Sequence, residues 1–190
     1  MRLIGLVMLI AVAVGLILGG RASRLGAIGI RWPWTGVVGL AMQLLPLPGA
    51  LEKLSVPLLL VSLWMLLAFI AANVSSRGFE LILIGLALNF VVIALNGGMP
   101  VSREALRRSG QLDTLGYLER SGGAKHHLAG PDDVAMWLGD VIALPRPIGL
   151  AISVGDVFTY AGVGAFVTLA MLDRTRRRVR AARPLAEAVS

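Results

Sequence analysis

The chain has 190 residues, of which 56% are hydrophobic and only 15% are charged, and its net charge is +7. Soluble domains carry about 25% charged residues, so this composition excludes an ordinary soluble protein and favours an integral membrane protein. The absence of cysteine excludes disulfides, thiolate catalysis and cysteine-ligated metals, and the positive charge accompanies no nucleic-acid-binding motif, so we expect no nucleic-acid partner.

Five apolar segments predict five membrane-spanning helices. They cover residues 3–19, 25–47, 54–73, 79–96 and 154–172. The second segment is the weakest because Gln43 and Pro46 interrupt it, although Trp32 and Trp34 are typical of an anchor at the headgroups. We favour a segment that crosses the membrane, and the alternative is one that lies half-inserted. The sequence therefore predicts an all-α fold, a polytopic membrane helix bundle of about five transmembrane helices over residues 1–173.

Basic residues determine the predicted orientation. Residues 174–190 form an arginine-rich tail directly after the last segment, and Arg21 and Arg24 follow the first. Basic residues beside a span are retained in the cytoplasm. We therefore predict a bacterial cytoplasmic (inner) membrane protein with its N-terminus outside, its C-terminus inside and a long extracytoplasmic loop over residues 97–153. The bacterial assignment follows from a preference for Arg, Ala and Gly that is typical of a GC-rich genome.

Turn residues divide the outer loop into short helices. Ser102 can cap a helix that Gly110 ends, and a leucine at every third position predicts a second helix before Gly122. Pro131, with the two aspartates that follow it, predicts a third helix lying on the membrane surface.

Two asparagines of the fourth segment lie seven residues apart, on one helix face. Amides within a span need partners, so we expect Asn89 and Asn96 to point into the bundle. One interpretation is hydrogen bonding between helices. The other is a polar binding site at the outer end, lined by Asn96 and the backbone of Gly97 and Gly98.

Small and polar residues recur along one face of the last segment. They are Gly149, Ser153, Asp156, Tyr160 and Gly164. This stripe is typical of close helix packing, and Ser153 with Asp156 fits a capping box, in which a side chain and a backbone amide bond reciprocally. The alternative is a functional role, because ionisable residues at membrane depth are costly and often functional.

Asp140 and Asp156 are the candidate catalytic residues. Two carboxyls that share a water, one ionised and one protonated, form a general acid/base couple for peptide hydrolysis. The turn-rich residues 145–149 permit the two carboxyls to meet.

Lys125 and His126 are candidate binding residues in the loop. His126 and His127 stand near two aspartates, which suggests a metal site. Adjacent side chains diverge in a helix or strand, however, and a solvated loop is the alternative. We predict no metal and no cofactor.

Four motifs resemble those of an uncharacterised family of bacterial multi-pass membrane proteins. They are Leu95–Ser102 (LNGGMPVS), Gly139–Pro145 (GDVIALP), Ser153–Asp156 (SVGD) and Arg31–Trp34 (RWPW). The resemblance covers nearly the whole chain. It implies a membrane location and no established activity.

More distantly, the chain resembles lipoprotein signal peptidase, an intramembrane aspartyl protease. Residues 96–98 and Ser153–Asp156 occupy places similar to that family's outer Asn-and-Gly motif and its Asn-x-Ala-Asp motif, which carries one catalytic aspartate. The chain lacks the Asn-x-x-Asp-Arg motif that carries the other, so Asp140 would replace it only by analogy. That family also has four spans, against the five predicted here.

Three functional classes remain, and the sequence leaves open whether the protein is an enzyme. The favoured class is a membrane protein of binding or assembly function, whose outer loop 97–153 meets another membrane protein. The second is an intramembrane aspartyl hydrolase that uses Asp140 and Asp156 on a lipid-linked or membrane peptide substrate. The third is a small transporter, which would need to oligomerise because its spans are few and lack repeats. The lipid bilayer is a partner in all three.

Overall fold

The computed structural model describes residues 2–45, 47 and 49–173, which contain seven α-helices and four short strands. The helices are Arg2–Ile17 (α1), Pro33–Leu44 (α2), Ser55–Ala72 (α3), Phe79–Asn96 (α4), Arg103–Ser109 (α5), Leu112–Ser121 (α6) and Val154–Leu172 (α7). The strands are Met99–Val101 (β1), His126–Leu128 (β2), Ile142–Leu144 (β3) and Leu150–Ile152 (β4). Short 3-10 helices cover Ala22–Ala27, Gly49–Leu54 and Met136–Leu138. The basic tail predicted for residues 174–190 lies outside the described residues.

Three helical segments are long and apolar enough to cross a membrane. They are Leu51–Ala72, Phe79–Asn96 and Val154–Leu172. The apolar part of α1, Leu3–Ile17, is shorter, and α2 has 12 residues. The structure therefore supports a membrane protein, while the number of five spans remains a prediction.

Helix α2 is shorter than the range predicted for it. It begins at Pro33, because the residue before it, Trp32, has a left-handed backbone with φ 53°. A proline at the first helical position is favourable, since it has no N–H to leave unpaired. The chain before Trp32 forms a 3-10 helix and an extended link in place of further α-helix.

The five long helices pack side by side in the order α2, α3, α4, α7, α1. Gly39 of α2 lies against Leu66 of α3, and Gly85 of α4 lies against Thr159 of α7. The Thr168 hydroxyl of α7 donates to the Ala11 carbonyl of α1 over 3.1 Å.

Helix direction alternates along this part of the chain. Helices α2 and α3 are antiparallel, as are α4 and α7, whereas α1 runs parallel to α7. The start of α1 and the end of α4 therefore lie on one side of the bundle, together with residues 97–153. The end of α7 lies on the opposite side.

Residues 97–153 form a compact unit, here called the loop-side domain. Strands β1 and β2 pair in parallel, and β3 and β4 pair antiparallel. Ser102 accepts a hydrogen bond from the Ala105 N–H, and Gly110 ends α5, so the predicted cap and stop of that helix are confirmed. Helix α6 ends at Gly122 as predicted.

The all-α prediction is wrong in this domain, which contains two small sheets. Each strand has three residues, too few for an alternating pattern to show. The helix predicted from Pro131 is also wrong, because only Met136–Leu138 are helical, as a 3-10 turn. The Asp133 carboxylate accepts the Gly130 N–H at 2.7 Å and closes a turn where the helix was expected.

The loop-side domain rests on the ends of α3 and α4. Met99 and Leu138 of the domain are buried in one apolar cluster with Leu59 and Leu63 of α3 and Val92 of α4. This packing holds the domain against the helices, so polar residues on either side of the contact have fixed positions.

Candidate functional site

Three predicted residues form one hydrogen-bonded network between α4 and α7. The Asn89 amide nitrogen donates to the Asp156 carboxylate over 2.9 Å, and the Ser153 hydroxyl donates to the Asn89 amide oxygen over 2.8 Å. Asn89 and Ser153 are buried. The expectation that Asn89 faces protein is therefore confirmed, and its amide joins two helices.

The first turn of α7 carries the predicted capping box. Ser153 Oγ accepts the Asp156 N–H at 2.9 Å, and the Asp156 carboxylate accepts the Ser153 N–H at 3.1 Å. Together with Asn89, two donors hold this carboxylate. Asp156 therefore has a structural role at the helix start, whatever else it does.

Glycine permits the close approach that this network needs. A Cβ on Gly155 would meet the Asn89 amide oxygen, and a Cβ on Gly85 would meet the Gly155 carbonyl. Both contacts would be shorter than any that real Cβ atoms make. Only a glycine pair lets the backbones of α4 and α7 come this close.

Two backbone hydrogen bonds fix the position of Asp140. Its N–H donates to the Pro100 carbonyl at 2.9 Å, and its carbonyl accepts the Ser102 N–H at 3.1 Å. These bonds make a parallel bridge with Val101. The residue is only 8% exposed, so the fold holds a carboxyl between the domain and the bundle.

The Asp140 carboxyl has few side-chain neighbours. Within the part of the chain that the structure describes, its direct side-chain contact is with His126, whose Nε2 lies 3.9 Å from Oδ2. Burial, and then the negative charge of Asp156, raise the pKa of Asp140 to about 8. At neutral pH this carboxyl is therefore mostly protonated and can donate a proton.

His126 and Lys125 lie side by side where the domain meets the bundle. The His126 side chain is 53% exposed, so it connects the Asp140 carboxyl to solvent. Lys125 Nζ donates to the Gln43 carbonyl at 2.7 Å. This amine caps the last turn of α2, where a cation interacts favourably with the helix dipole.

Asn96, Gly97 and Gly98 have structural roles. The Asn96 amide oxygen accepts the Val134 N–H at 2.7 Å, and its nitrogen donates to the Val134 carbonyl at 2.9 Å. Gly97 ends α4 with φ 63°, a conformation that favours glycine. Asn96 therefore joins α4 to the domain, and its amide is committed to backbone partners.

His127 pairs with Asp133 and not with Asp140. The His127 Nε2 lies 2.8 Å from the Asp133 carboxylate. Burial alone would raise the pKa of Asp133, but hydrogen bonds from the Gly130 N–H and from His127 hold it below its ordinary value of 3.8. Over residues 2–45, 47 and 49–173 there is no group of three His, Asp or Glu residues placed to bind a metal ion.

Sequence reasoning missed two residues that tie the bundle together. The Asn73 side chain accepts the Arg31 N–H at 2.7 Å and donates to the Arg31 carbonyl at 2.8 Å. Arg24 Nη1 donates to the Met171 carbonyl at 2.7 Å, at the end of α7. A polar amide at the end of an apolar helix was the available signal for Asn73. Nothing in the sequence links Arg24 to a residue 147 positions away.

The predicted residues thus divide into two groups. One group surrounds the contact between domain and bundle, and it is called the junction cluster here: Asn89, His126, Asp140, Ser153 and Asp156. The other group, residues 96–98 and Lys125, holds the backbone around it. The junction cluster presents a proton donor, Asp140, near an acceptor, Asp156.

Comparison with known proteins identifies a family and no activity. No curated protein and no solved structure matches the chain, so the likeness to lipoprotein signal peptidase has no support from them. A family model does match residues 27–168, well over half of the chain. The chain therefore belongs to DUF5317, a family of unknown function.

Proposed function

We propose that this is a five-span membrane protein that binds the polar group of a membrane amphiphile at the junction cluster. The observation that carries the proposal is the Asp140 carboxyl, which is largely buried with its side chain 12% exposed, and whose direct side-chain contact among the described residues is His126 at 3.9 Å. Buried polar groups normally have hydrogen-bond partners. Carboxyls with perturbed pKa values and specific charged neighbours concentrate at functional sites.

The directions of the helices support five spans. Helices α1 to α4 and α7 alternate in direction along the chain, as successive spans must. Helix α1 has 16 residues and α2 has 12, or about 24 Å and 18 Å. A bilayer core of about 30 Å accommodates short spans by local thinning and by flanking anchors. The arginines after residue 173 favour the cytoplasm for that end.

The position of the junction cluster restricts the chemical class of ligand that it could bind. The cluster lies at the loop-side start of α7, opposite Asn89, which is seven residues, or about 10 Å, before the end of α4. In a spanning bundle this position is within reach of the lipid headgroups. Protonated Asp140 can donate, and the Asp156 carboxylate can accept a further bond. A lipid or lipid-linked molecule with a carbonyl or phosphoryl oxygen beside an amide or ammonium group has matching chemistry.

Native mass spectrometry of the purified protein tests this proposal. We expect a tightly retained amphiphile on the wild-type protein and its loss in Asp140→Asn. Asp133→Asn is the matched control, since it changes an acid of the same domain that pairs with His127, and it should retain the amphiphile. Equal retention by wild type and Asp140→Asn would remove the binding proposal.

A second candidate, an intramembrane aspartyl hydrolase, is favoured by the unequal environments of the two carboxyls. The Asp156 carboxylate accepts two hydrogen bonds, whereas the Asp140 carboxyl has a pKa raised to about 8 by burial and by the charge of Asp156. Asp156 would take a proton from a water as the water oxygen attacks an amide carbon, and Asp140 would donate its proton to the carbonyl oxygen. As the tetrahedral species collapses, the C–N bond breaks and Asp156 gives its proton to the leaving amine nitrogen. Asp140 takes a proton back from a hydroxyl of the species, which becomes the carboxylic acid product, so both aspartates return to their starting states.

Cleavage of internally quenched single-span peptides in vesicles tests the second candidate. Asp140→Asn and Asp156→Asn should each abolish cleavage, and the double variant should lose no more than either alone. Asp133→Asn should remain active. Cleavage that survives Asp140→Asn, or a wild-type protein that cleaves nothing in a peptide library, would eliminate the hydrolase and leave the binding proposal to the mass measurement.

A further inference from the structure

An uncharged segment of the loop-side domain lies against the bundle with large apolar side chains exposed. It comprises residues 134–138 (VAMWL) and is called the interfacial segment here. Val134 is 54% exposed, Met136 41% and Trp137 66%. Between and beside them, Ala135 and Leu138 face inward and pack in the cluster with Leu59, Leu63 and Val92. The segment therefore has one face packed against the protein and one face exposed.

The depth of this segment follows from its contacts. The turn Met136–Leu138 contacts α4, and Leu138 and Ala135 belong to the apolar cluster that contains Val92. Val92 lies four residues before the end of α4, or about 6 Å below it. At its other end, Val134 bonds through both backbone groups to Asn96, the last residue of α4. The segment thus lies level with the final turn of α4, a helix that is apolar enough to span.

The exposed side chains continue an apolar surface of the bundle. Val91 and Leu95 of α4 are 45% and 56% exposed, and Leu95 is the chain neighbour of Asn96, which holds Val134. In a spanning helix such side chains face lipid. Tryptophan is the residue most typical of the boundary between headgroups and acyl chains.

We propose that the interfacial segment inserts into the bilayer on the domain side, with Val134, Met136 and Trp137 between headgroups and acyl chains. Lipid is the occupant because the patch continues the exposed surface of α4 at the same level. Interfacial segments bury their apolar face about 5–10 Å into this layer, which matches the depth set by Val92 of α4. The proposal extends the proposed function, since Trp137 stands three residues before Asp140.

Depth-dependent quenching of Trp137 fluorescence tests this inference. The full chain, with Phe at Trp32, Trp34 and Trp64, is placed in phosphatidylcholine vesicles. Lipids brominated near the glycerol end of the acyl chain should quench Trp137 more than lipids brominated near the terminal methyl, and aqueous iodide should quench it weakly.

Two matched variants calibrate the depth. A chain with Trp64 alone places the probe in the middle of α3, where it is 65% exposed, and the deeper bromines should quench it more. A chain without native tryptophan and with Tyr117→Trp places the probe on α6, at a position 50% exposed. Iodide should quench that probe, and bromolipids should not.

Two outcomes would overturn the proposal. Quenching of Trp137 by iodide without quenching by bromolipid would place the segment in water. Protection from both quenchers would mean that protein, such as a second copy of the chain, covers it. If the multiple substitutions prevent folding, the difference in quenching between wild type and Trp137→Phe supplies the same comparison.

Discussion

The side-chain amide of Asn89 donates a hydrogen bond to the Asp156 carboxylate over 2.9 Å, from the second half of α4 to the first turn of α7. Ser153 completes this contact by donating its hydroxyl proton to the same amide. The two helices are therefore joined at the start of α7, close enough to Asp140 for the charge of Asp156 to raise the pKa of that carboxyl. The Asp156 carboxylate therefore belongs both to the helix cap and to the candidate site.

Replacement of Asp156 by Asn should cost more than the loss of a charge. Each carboxylate oxygen accepts a hydrogen bond from an N–H donor. In the variant, one of these two donors would face the NH2 group of the new amide, which cannot accept. We expect a loss of about 1–3 kcal/mol in unfolding free energy, because a partly buried N–H donor would be left without an acceptor. The measurement is chemical unfolding of the purified protein in detergent.

Asp113→Asn is the control for this substitution. Asp113 lies in the first turn of α6 and is exposed, so its loss removes only a charge–dipole interaction of about 0.3–1 kcal/mol. Equal losses for the two variants would show that the Asn89 contact contributes nothing.

Gly155→Ala should destabilise the protein although alanine favours helices. The new methyl group would meet the Asn89 amide oxygen and the Gly85 carbonyl, and overpacking of this kind costs about 1–3 kcal/mol. Gly164→Ala on the same helix is the matched control, because its methyl group would lie 3.7 Å from Val7 in ordinary contact. That control should be neutral or stabilising by up to about 1 kcal/mol. A stabilising Gly155→Ala would contradict the close crossing of α4 and α7.

Helices α3, α4 and α7 were predictable because each depends on local signals. Uninterrupted apolar residues and the turn at residues 73–78 give the bounds of α3 and α4 to within about one residue, and Ser153 marks the start of α7. The network between Asn89 and Asp156 was predictable only in part. Helical spacing shows which face is polar, but it does not show which polar faces meet.

The strands and the Asp140 environment could not be predicted for a different reason. Strand β1 pairs with β2, 27 residues along the chain, and Asp140 bridges Val101. Three-residue strands gain their stability from such distant partners and carry no period of their own. The Pro131 helix failed likewise, since His127 and Gly130 bind Asp133 and favour a turn.

The unfolding free energy should fall as pH rises, because the Asp140 carboxyl loses its proton in the folded protein only at high pH. Its pKa is about 8 in the folded protein and 3.8 ordinarily, so between these values the folded state binds more protons than the unfolded state. Stability contributed by this group is therefore greatest below pH 3.8, falls between 3.8 and about 8, and is constant above. The slope for one proton is at most about 1.4 kcal/mol per pH unit.

Asp140→Asn removes this titration. Unfolding free energies measured from mildly acidic to alkaline pH should therefore decline less steeply for the variant than for wild type. Parallel curves for the two proteins would show that Asp140 titrates normally in the folded state.

Lys125→Met should loosen the last turn of α2 and leave the domain folded. The variant keeps the aliphatic length and removes the amine that donates to the Gln43 carbonyl over 2.7 Å. Faster hydrogen exchange at the end of α2 is expected, with unchanged exchange in α6. Lys53→Met is the control, because Lys53 is an exposed lysine of the 3-10 helix Gly49–Leu54. No change at α2 in Lys125→Met would mean that Lys125 does not cap the helix in the membrane.

The most direct test of the junction cluster is the titration of Asp140 by NMR, with carbon-13 in the aspartate carboxyls. The resonance is assigned by its disappearance in Asp140→Asn. The account predicts a protonated carboxyl at neutral pH with a pKa of about 8. It also predicts that Asp156→Asn lowers this pKa, because a nearby negative charge is removed. An ionised Asp140 at neutral pH, or a pKa that Asp156→Asn leaves unchanged, would contradict a site shared by the two carboxyls.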